Sequence, residues 1–291
     1  MSRRPSDILV TPEWLNRHSG DHGAIVLDAS AHLPAAGRDA RKEFESTHIP
    51  GARFLDLASL TDPTSDVPAA LPRAERFADR MRGLGIRVGD RIILYDDSAL
   101  RSSARARFIF RMFGFADVMV LDGGLTLWKS EGRPLETGAD PPDPSNREIW
   151  NENRLSVRSK ADIFAHTDSR DAIIVDARDM DRFTGMADDG VHGLPGGHIP
   201  GARNVPFTRL FDDRGCYRPA NELAKVFAEA GVDTARPVIA SCGSGMTACT
   251  LIIALELLGH TAALYDGSWA EWGADPDTPK QKGAAGEHGA G

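Results

Sequence analysis

Cysteine is scarce in this chain: its 291 residues include only three, Cys216, Cys242 and Cys249. A set this sparse and odd in number is not a disulfide framework, and the lack of a Cys-x-x-Cys pair argues against zinc, so no metal is expected. Unpaired thiols are typical of proteins in a reducing compartment. We therefore expect a cytoplasmic protein.

The chain also lacks long apolar runs and an excess of positive charge. Its longest apolar run, 251–258, is interrupted by Glu256 and is too short to span a bilayer, and the N-terminal arginines are not followed by the apolar segment of a signal peptide. A net charge of −8 argues against nucleic acid or an anionic membrane as a partner. The sequence specifies no oligomeric state.

The sequence instead contains a long internal repeat. His-Ile-Pro-Gly-Ala-Arg at residues 48–53 recurs at 198–203, and Ile-Val-Leu-Asp-Ala at 25–29 is echoed at 173–177. Further matches follow in the same order, which indicates a tandem duplication. We assign an N-terminal domain to residues 1–132, a linker to 133–155, a second domain to 156–273 and a mobile tail to 274–291.

Strand and helix patterns alternate within each half. Residues 25–27, 92–95 and 118–121 predict buried strands, and residues 73–82 and 103–113 predict helices. Alternation of this kind is typical of an α/β fold in which a mostly parallel sheet carries helices on both faces. Ligands of such folds bind beyond the carboxyl ends of the strands.

Cys242 occupies that position in the second half. It follows the apolar run 237–240 and begins the loop Cys-Gly-Ser-Gly-Met-Thr, after which an apolar helical run extends over 250–258. Unpaired N–H groups and the positive end of a helix stabilise a thiolate and lower the pKa of a cysteine below its free value of about 8.5. The pattern predicts a cysteine nucleophile, and a buried structural thiol is the alternative.

The neighbours of Cys242 carry their own predictions. Gly243 and Gly245 are expected to adopt φ values that other residues avoid, and Thr247 to cap the following helix. Cys249 is expected only to pack, and nothing points to a function for Cys216.

The first half lacks an equivalent thiol. Aligning Arg91 with Arg236 places Asp97 opposite Cys242. Because a carboxylate cannot act as a sulfur nucleophile, this half is expected to be catalytically silent and to form the other wall of a cleft.

Two chemistries use a cysteine cradled by backbone N–H groups. Cysteine-dependent phosphatases need an arginine six residues after the nucleophile to bind phosphate, and Ala248 stands there. The other chemistry moves sulfur: the thiolate attacks a sulfane sulfur and forms a persulfide, which passes the sulfur to an acceptor. The sequence disfavours the phosphatase.

Over residues 8–273 the sequence resembles the two-domain sulfurtransferases of the rhodanese superfamily. The shared marks are Gly-Arg-Asp-Ala-Arg-Lys-Glu-Phe at 37–44, the two His-Ile-Pro-Gly-Ala motifs, Leu-Asp-Gly-Gly-Leu at 121–125 with Trp128, and the Cys242 loop. Rhodaneses carry basic residues in this loop, whereas the loops of the mercaptopyruvate enzymes resemble the uncharged loop of this chain. The resemblance implies two rhodanese-like domains, no cofactor and 3-mercaptopyruvate as donor.

The resemblance also implies roles for particular residues. Arg182 and Arg105 match substrate-binding arginines of the family, although Ala104 replaces a proline before Arg105. Val191 stands where some members have a second arginine, and the adjacent His192 is a candidate substitute.

Backbone groups of Gly243, Gly245, Met246 and Thr247 would contact the substrate. His48 and Asp39 match residues proposed to form a proton relay with the loop serine, Ser244. Because His198 repeats His48, a structural role at a turn is the alternative for both histidines.

The function implied is transfer of sulfur from 3-mercaptopyruvate through a Cys242 persulfide, with release of pyruvate. The acceptor would be cyanide, a small thiol or thioredoxin. A thiosulfate sulfurtransferase and a persulfide carrier for a protein partner are the alternatives.

Overall fold

The computed structural model describes residues 7–18, 24–138, 144, 148, 150 and 152–284. Its strands are β1 (Leu9–Val10), β2 (Ala24–Asp28), β3 (Arg53–Phe54), β4 (Arg91–Tyr95), β5 (Val118–Leu121), β6 (Val157–Arg158), β7 (Ile173–Asp176), β8 (Arg203–Asn204), β9 (Val238–Ser241) and β10 (Ala262–Tyr265). Its helices are α1 (Pro12–His18), α2 (Ala40–Ser46), α3 (Ala74–Gly83), α4 (Ser103–Met112), α5 (Gly124–Ser130), α6 (Lys160–Ser169), α7 (Met180–Thr184), α8 (Ala220–Glu229), α9 (Ala248–Leu257) and α10 (Ser268–Trp272).

The strands form two five-stranded sheets with the same topology. The strand order is β1-β5-β4-β2-β3 in the first sheet and β6-β10-β9-β7-β8 in the second, and all neighbouring strands are parallel. The two-domain α/β fold predicted from the repeat is confirmed.

Helices cover both faces of each sheet, as predicted. One core cluster spans both domains: it contains the inner faces of the two sheets together with α3, α4, α8 and α9. Smaller clusters on the outer faces include Leu15 and Trp128 in the first domain and Ile163 and Trp272 in the second. Helices α4 and α9 pack against each other between the domains, so α9 is buried on nearly every side.

The segment beyond α10 packs on the second domain, which differs from the mobile tail predicted from residue 274. The indole N–H of Trp272 donates to the Pro279 carbonyl at 2.8 Å, Thr278 is buried, and Gln281 forms two backbone hydrogen bonds with His198. Composition alone missed these contacts because a polar segment can still pair through its backbone. Residues 285–291 of the predicted tail lie outside the described residues.

A segment after the first domain pairs in the same way with the histidine of the His-Ile-Pro-Gly-Ala motif. Glu136, in the part of the predicted linker that is described, forms two backbone hydrogen bonds with His48, both 2.9 Å long. In the described part of the chain, no helix combines the length and the apolar character needed to cross a membrane.

Candidate active site

Cys242 lies directly beyond the carboxyl end of β9, and α9 begins six residues later. Its N–H donates to the Ser268 hydroxyl at 3.0 Å, and its carbonyl accepts from Trp269 at 3.0 Å. The Gly243 carbonyl accepts from Ala270 at 2.7 Å. The loop is thus anchored to the start of α10, and Cys242 is only 1% exposed.

The loop presents a run of unused donors. Within the described residues, none of the N–H groups of residues 243–247 has a hydrogen-bond acceptor. Successive free N–H groups before a helix form a concave site for an anion. This arrangement suits a thiolate or a persulfide anion at Cys242.

Two expectations for the loop need correction. Gly245 has a φ of +73°, as predicted, but Gly243 is absent from the positive-φ residues; its side-chain space is filled instead by the His192 ring. Thr247 is at the N-cap position of α9, yet its side chain makes no capping bond, because its backbone is already helical.

Strand register corrects the sequence alignment of the two halves. Tyr95 pairs with Asp28 as Ser241 pairs with Asp176, so the residue that follows Tyr95 matches Cys242. That residue is Asp96, not Asp97, which the sequence alignment chose because Arg91 and Arg236 differ by one position in the strand register.

The Asp96 carboxylate, at the position equivalent to Cys242, accepts two backbone N–H groups. One of its carboxylate oxygens accepts from the Ser98 N–H at 3.0 Å and the other from the Ser103 N–H at 2.8 Å. In the first half a fixed carboxylate therefore satisfies two N–H groups of this region. In the second half, the N–H groups of residues 243–247, which follow the thiol, have no acceptor among the described residues.

Arg178 is a buried cation near Cys242 that the sequence analysis did not single out. It binds both carboxylate oxygens of Asp176 and the Gly197 carbonyl, and it lies over the Trp269 ring. Burial lowers the pKa of Arg178, but Asp176, Asp189 and the Cys242 sulfur raise it above its ordinary value. One feature of the sequence could have identified Arg178: it directly follows Asp176-Ala177, which repeats Asp28-Ala29.

A second missed residue, Asp189, organises the edge of the site. Its carboxylate is fully buried and lies 3.0 Å from His192 Nδ1, 3.4 Å from Arg182 Nη1 and 3.5 Å from Arg178 Nη1. Burial raises the pKa of Asp189, but His192 and the two arginines outweigh it and lower the pKa to about 2. The carboxylate is therefore ionised throughout the physiological range.

Arg182 itself lies in α7 and is partly exposed. Its Nε donates to Asp179 at 2.5 Å, and one terminal nitrogen contacts Asp189. Val191 is 49% exposed. The turn containing Val191 thus brings His192, rather than Val191, to the loop.

Arg105 reaches the loop from the first domain, but both of its terminal nitrogens already donate hydrogen bonds within the protein. It donates to the carbonyls of Gly245 at 3.4 Å and Ala69 at 2.8 Å and to the Asp266 carboxylate at 2.7 Å. Burial lowers the pKa of Arg105, but Asp266 and the two nearby thiols raise it. These bonds fix the position of Gly245 and leave neither terminal nitrogen of Arg105 available to bind the sulfur-donating substrate.

The relay predicted from the resemblance is not assembled. His48 Nδ1 hydrogen-bonds the Phe44 carbonyl at 2.7 Å, and the Asp39 carboxylate caps α2 through the Lys42 N–H. Ser244 makes no hydrogen bond to either residue among those described. His198 bonds the Phe183 carbonyl in the same way as His48, which fits a structural role for both histidines.

The whole chain was compared with known proteins. The Rhodanese-like domain family matches it twice, at residues 11–131 and 160–275. The chain belongs to the rhodanese-like family. It is 39% identical over 271 residues to 3-mercaptopyruvate sulfurtransferase of Rattus norvegicus, covering 91% of each chain. It is 35% identical to thiosulfate sulfurtransferase of Cricetulus griseus, covering 96% of this chain and 97% of the relative.

A solved structure agrees with these matches. The crystal structure of SseA from Escherichia coli, a 3-mercaptopyruvate sulfotransferase with the rhodanese fold, superimposes with a TM-score of 0.82 at 37% identity. The match covers 90% of this chain and 98% of SseA.

The other two cysteines of this rhodanese-like chain are poor nucleophiles. Burial raises the pKa of both Cys249 and Cys216 to about 12, so both stay protonated at neutral pH. The Cys249 thiol donates to the Gly245 carbonyl at 3.3 Å. In the part of the chain that the structure describes, no cluster of three or more His, Cys, Asp or Glu residues is arranged to bind a metal.

Proposed function

We propose that this protein transfers sulfur from 3-mercaptopyruvate to a thiol or cyanide through a persulfide on Cys242. The observation that carries the proposal is the pairing of Cys242 with five consecutive N–H groups that have no acceptor among the described residues. Such a site stabilises an anionic sulfur before and after transfer. The silent half supports this assignment, since a carboxylate takes up two loop N–H groups there.

We assign one step of the reaction to each part of the site. Arg182 contacts Asp179 through Nε and Asp189 through Nη1; it is partly exposed, and its Nη2, which has no partner among the described residues, binds the donor carboxylate. The Cys242 thiolate attacks the donor sulfur, the sulfur–carbon bond breaks, and pyruvate leaves. The terminal sulfur of the persulfide is then held by the N–H groups of Gly243, Gly245, Met246 and Thr247 until an acceptor removes it.

Thiosulfate is the second candidate donor. The similarity to a thiosulfate sulfurtransferase favours it, but the loop carries no charge to bind a dianion. The buried Arg178 is already neutralised by Asp176. We therefore expect a higher kcat/KM for 3-mercaptopyruvate than for thiosulfate, a ratio that reports differential transition-state binding.

The persulfide can be tested by intact mass. Adding 3-mercaptopyruvate without an acceptor should add the mass of one sulfur atom and release one equivalent of pyruvate. Cys242→Ser should show neither, whereas Cys249→Ser should retain both, because the Cys249 thiol donates to the Gly245 carbonyl and its pKa is raised to about 12. A wild-type protein that gains no sulfur from either donor would contradict the proposal.

For the acceptor we propose cyanide, a small thiol or thioredoxin, in the cytoplasm, where the three free cysteines stay reduced. The alternative is a carrier that delivers the persulfide to one protein partner. Multiple turnovers with a small thiol support the enzyme, and transfer only to a protein acceptor supports the carrier.

A further inference from the structure

His192 is held in one orientation by a tight turn. The backbone N–H of His192 donates to the Asp189 carbonyl at 3.0 Å. Asp189 and Leu194 exchange two further backbone hydrogen bonds across the turn. The turn folds the imidazole back so that Nδ1 lies 3.0 Å from the Asp189 carboxylate. Because an ionised carboxylate can only accept hydrogen bonds, Nδ1 keeps its proton and donates to Asp189, and the lone pair of the neutral imidazole is then on Nε2.

The other edge of the ring faces the nucleophile loop. A Cβ placed on Gly243 would lie 2.3 Å from His192 Cε1 and 3.2 Å from Nε2, so the imidazole occupies the side-chain space of the residue after Cys242. Nε2 has no hydrogen-bond partner among the described residues, and the side chain is 15% exposed. A basic nitrogen is thus free beside the loop.

Loss of pyruvate from 3-mercaptopyruvate requires a proton transfer. The thiolate of Cys242 forms the new sulfur–sulfur bond, the sulfur–carbon bond breaks, and its electron pair leaves with pyruvate as the enolate. The proton on the donor sulfur must be removed, and the methylene carbon must gain one to become a methyl group. The same proton balances both steps, so a single base is sufficient.

We propose that His192, positioned by Asp189, is the catalytic residue that carries this proton from the donor sulfur to the leaving enolate. Nε2 accepts the proton, the Asp189 carboxylate stabilises the imidazolium, and Nε2 returns the proton to carbon. The inference rests on the proposed use of 3-mercaptopyruvate. His48, the histidine that the resemblance assigned to a relay, is instead buried with Nδ1 on the Phe44 carbonyl.

Thiosulfate provides an internal comparison. Thiolate attack on its outer sulfur releases sulfite, and no proton moves in that step. The expected result for His192→Ala is therefore a fall in kcat of about 10²-fold to 10⁴-fold with 3-mercaptopyruvate. Persulfide formation from thiosulfate, followed by intact mass in a single turnover, should be unchanged.

The matched control is His166→Ala. His166 also pairs with an aspartate, Asp171, but His166 lies in α6 and Asp171 precedes the amino end of β7, whereas Cys242 follows the carboxyl end of β9. This variant should retain wild-type rates with both donors. Added imidazole should restore 3-mercaptopyruvate turnover to His192→Ala and leave Cys242→Ser inactive, because the ring that is removed is partly exposed.

Three results would overturn the assignment. Equal losses with both donors would mean that His192 only supports the loop. A raised KM with unchanged kcat would make it an anchor for the donor carboxylate, and a lack of rescue by imidazole would exclude proton transfer at this position. Failure of the wild type itself to release pyruvate would instead contradict the proposed function, so the two failures are distinguishable.

Discussion

At the scale of single residues, the two glycines of the nucleophile loop are required for different physical reasons. Gly245 has a φ of +73° and lies against the Asp266 carbonyl, so a side chain there is strained by the backbone. Gly243 has ordinary backbone geometry, but its side-chain space is filled by His192. The two positions therefore report on separate features of the site.

Alanine substitutions separate these two roles. Gly243→Ala should displace the His192 ring, which is a movable side chain, and so reduce turnover of 3-mercaptopyruvate while sparing persulfide formation from thiosulfate. Gly245→Ala should impair both donors, because it costs about 1 to 3 kcal/mol of backbone strain in the loop itself. Steady-state kinetics with both donors check this, and identical donor profiles for the two variants would contradict it.

Residue patterns predicted part of this site. Cys242 and Gly245 follow from local sequence, because a strand end, a glycine-rich loop and a helix start are all adjacent in the chain. The pairing of Asp189 with His192 is local to one turn, but the contact of the His192 ring with Gly243 depends on how two loops that are distant in the sequence fold together. No local pattern encodes that contact, and the resemblance pointed to His48 instead.

Among the secondary-structure elements, α4 and α9 follow equivalent strands, but the residue between strand and helix differs: it is Asp96 before α4 and Cys242 before α9. The strand β4 leads into Asp96, whose carboxylate accepts two backbone N–H groups before and at the start of α4. The strand β9 leads into Cys242, after which the N–H groups of residues 243–247 have no acceptor in the part of the chain that the structure describes. The repeat predicted both elements, but a shift of one residue in aligning them named the wrong aspartate.

Neighbouring substitutions test the corrected register. Asp96→Ala should lower the free energy of unfolding by about 2 kcal/mol, because it leaves two buried N–H groups without an acceptor. Asp97→Ala should cost less than about 1 kcal/mol, since that carboxylate makes only partly exposed contacts with Arg38 and Thr126. Urea unfolding measures both. Persulfide formation by folded protein should stay unchanged in each, and a larger effect from Asp97→Ala would contradict the register.

At the scale of the whole molecule, the two halves exchange equivalent hydrogen bonds. Asp266, after β10, accepts from the Leu71 N–H of the first domain, and Asp122, after β5, accepts from the Tyr217 N–H of the second, both at 2.8 Å. Burial raises the pKa of Asp122 to about 6. Asp266 differs in having Arg105 as a counter-ion, and Arg105 also contacts the Cys242 loop. The first domain thus supports the Cys242 loop of the second.

Arg105→Met tests this support. It removes the counter-ion of a buried carboxylate and one contact to Gly245, so the free energy of unfolding should fall by about 3 kcal/mol and persulfide formation should slow. Arg214→Met is the matched control: it breaks another ion pair between the domains, with Glu131, but the Arg214 side chain is 63% exposed. Its cost should be below about 1 kcal/mol, with no change in rate. If Arg105→Met costs as little as Arg214→Met in urea unfolding and leaves the single-turnover rate unchanged by mass analysis, Arg105 supports neither the interface nor the loop.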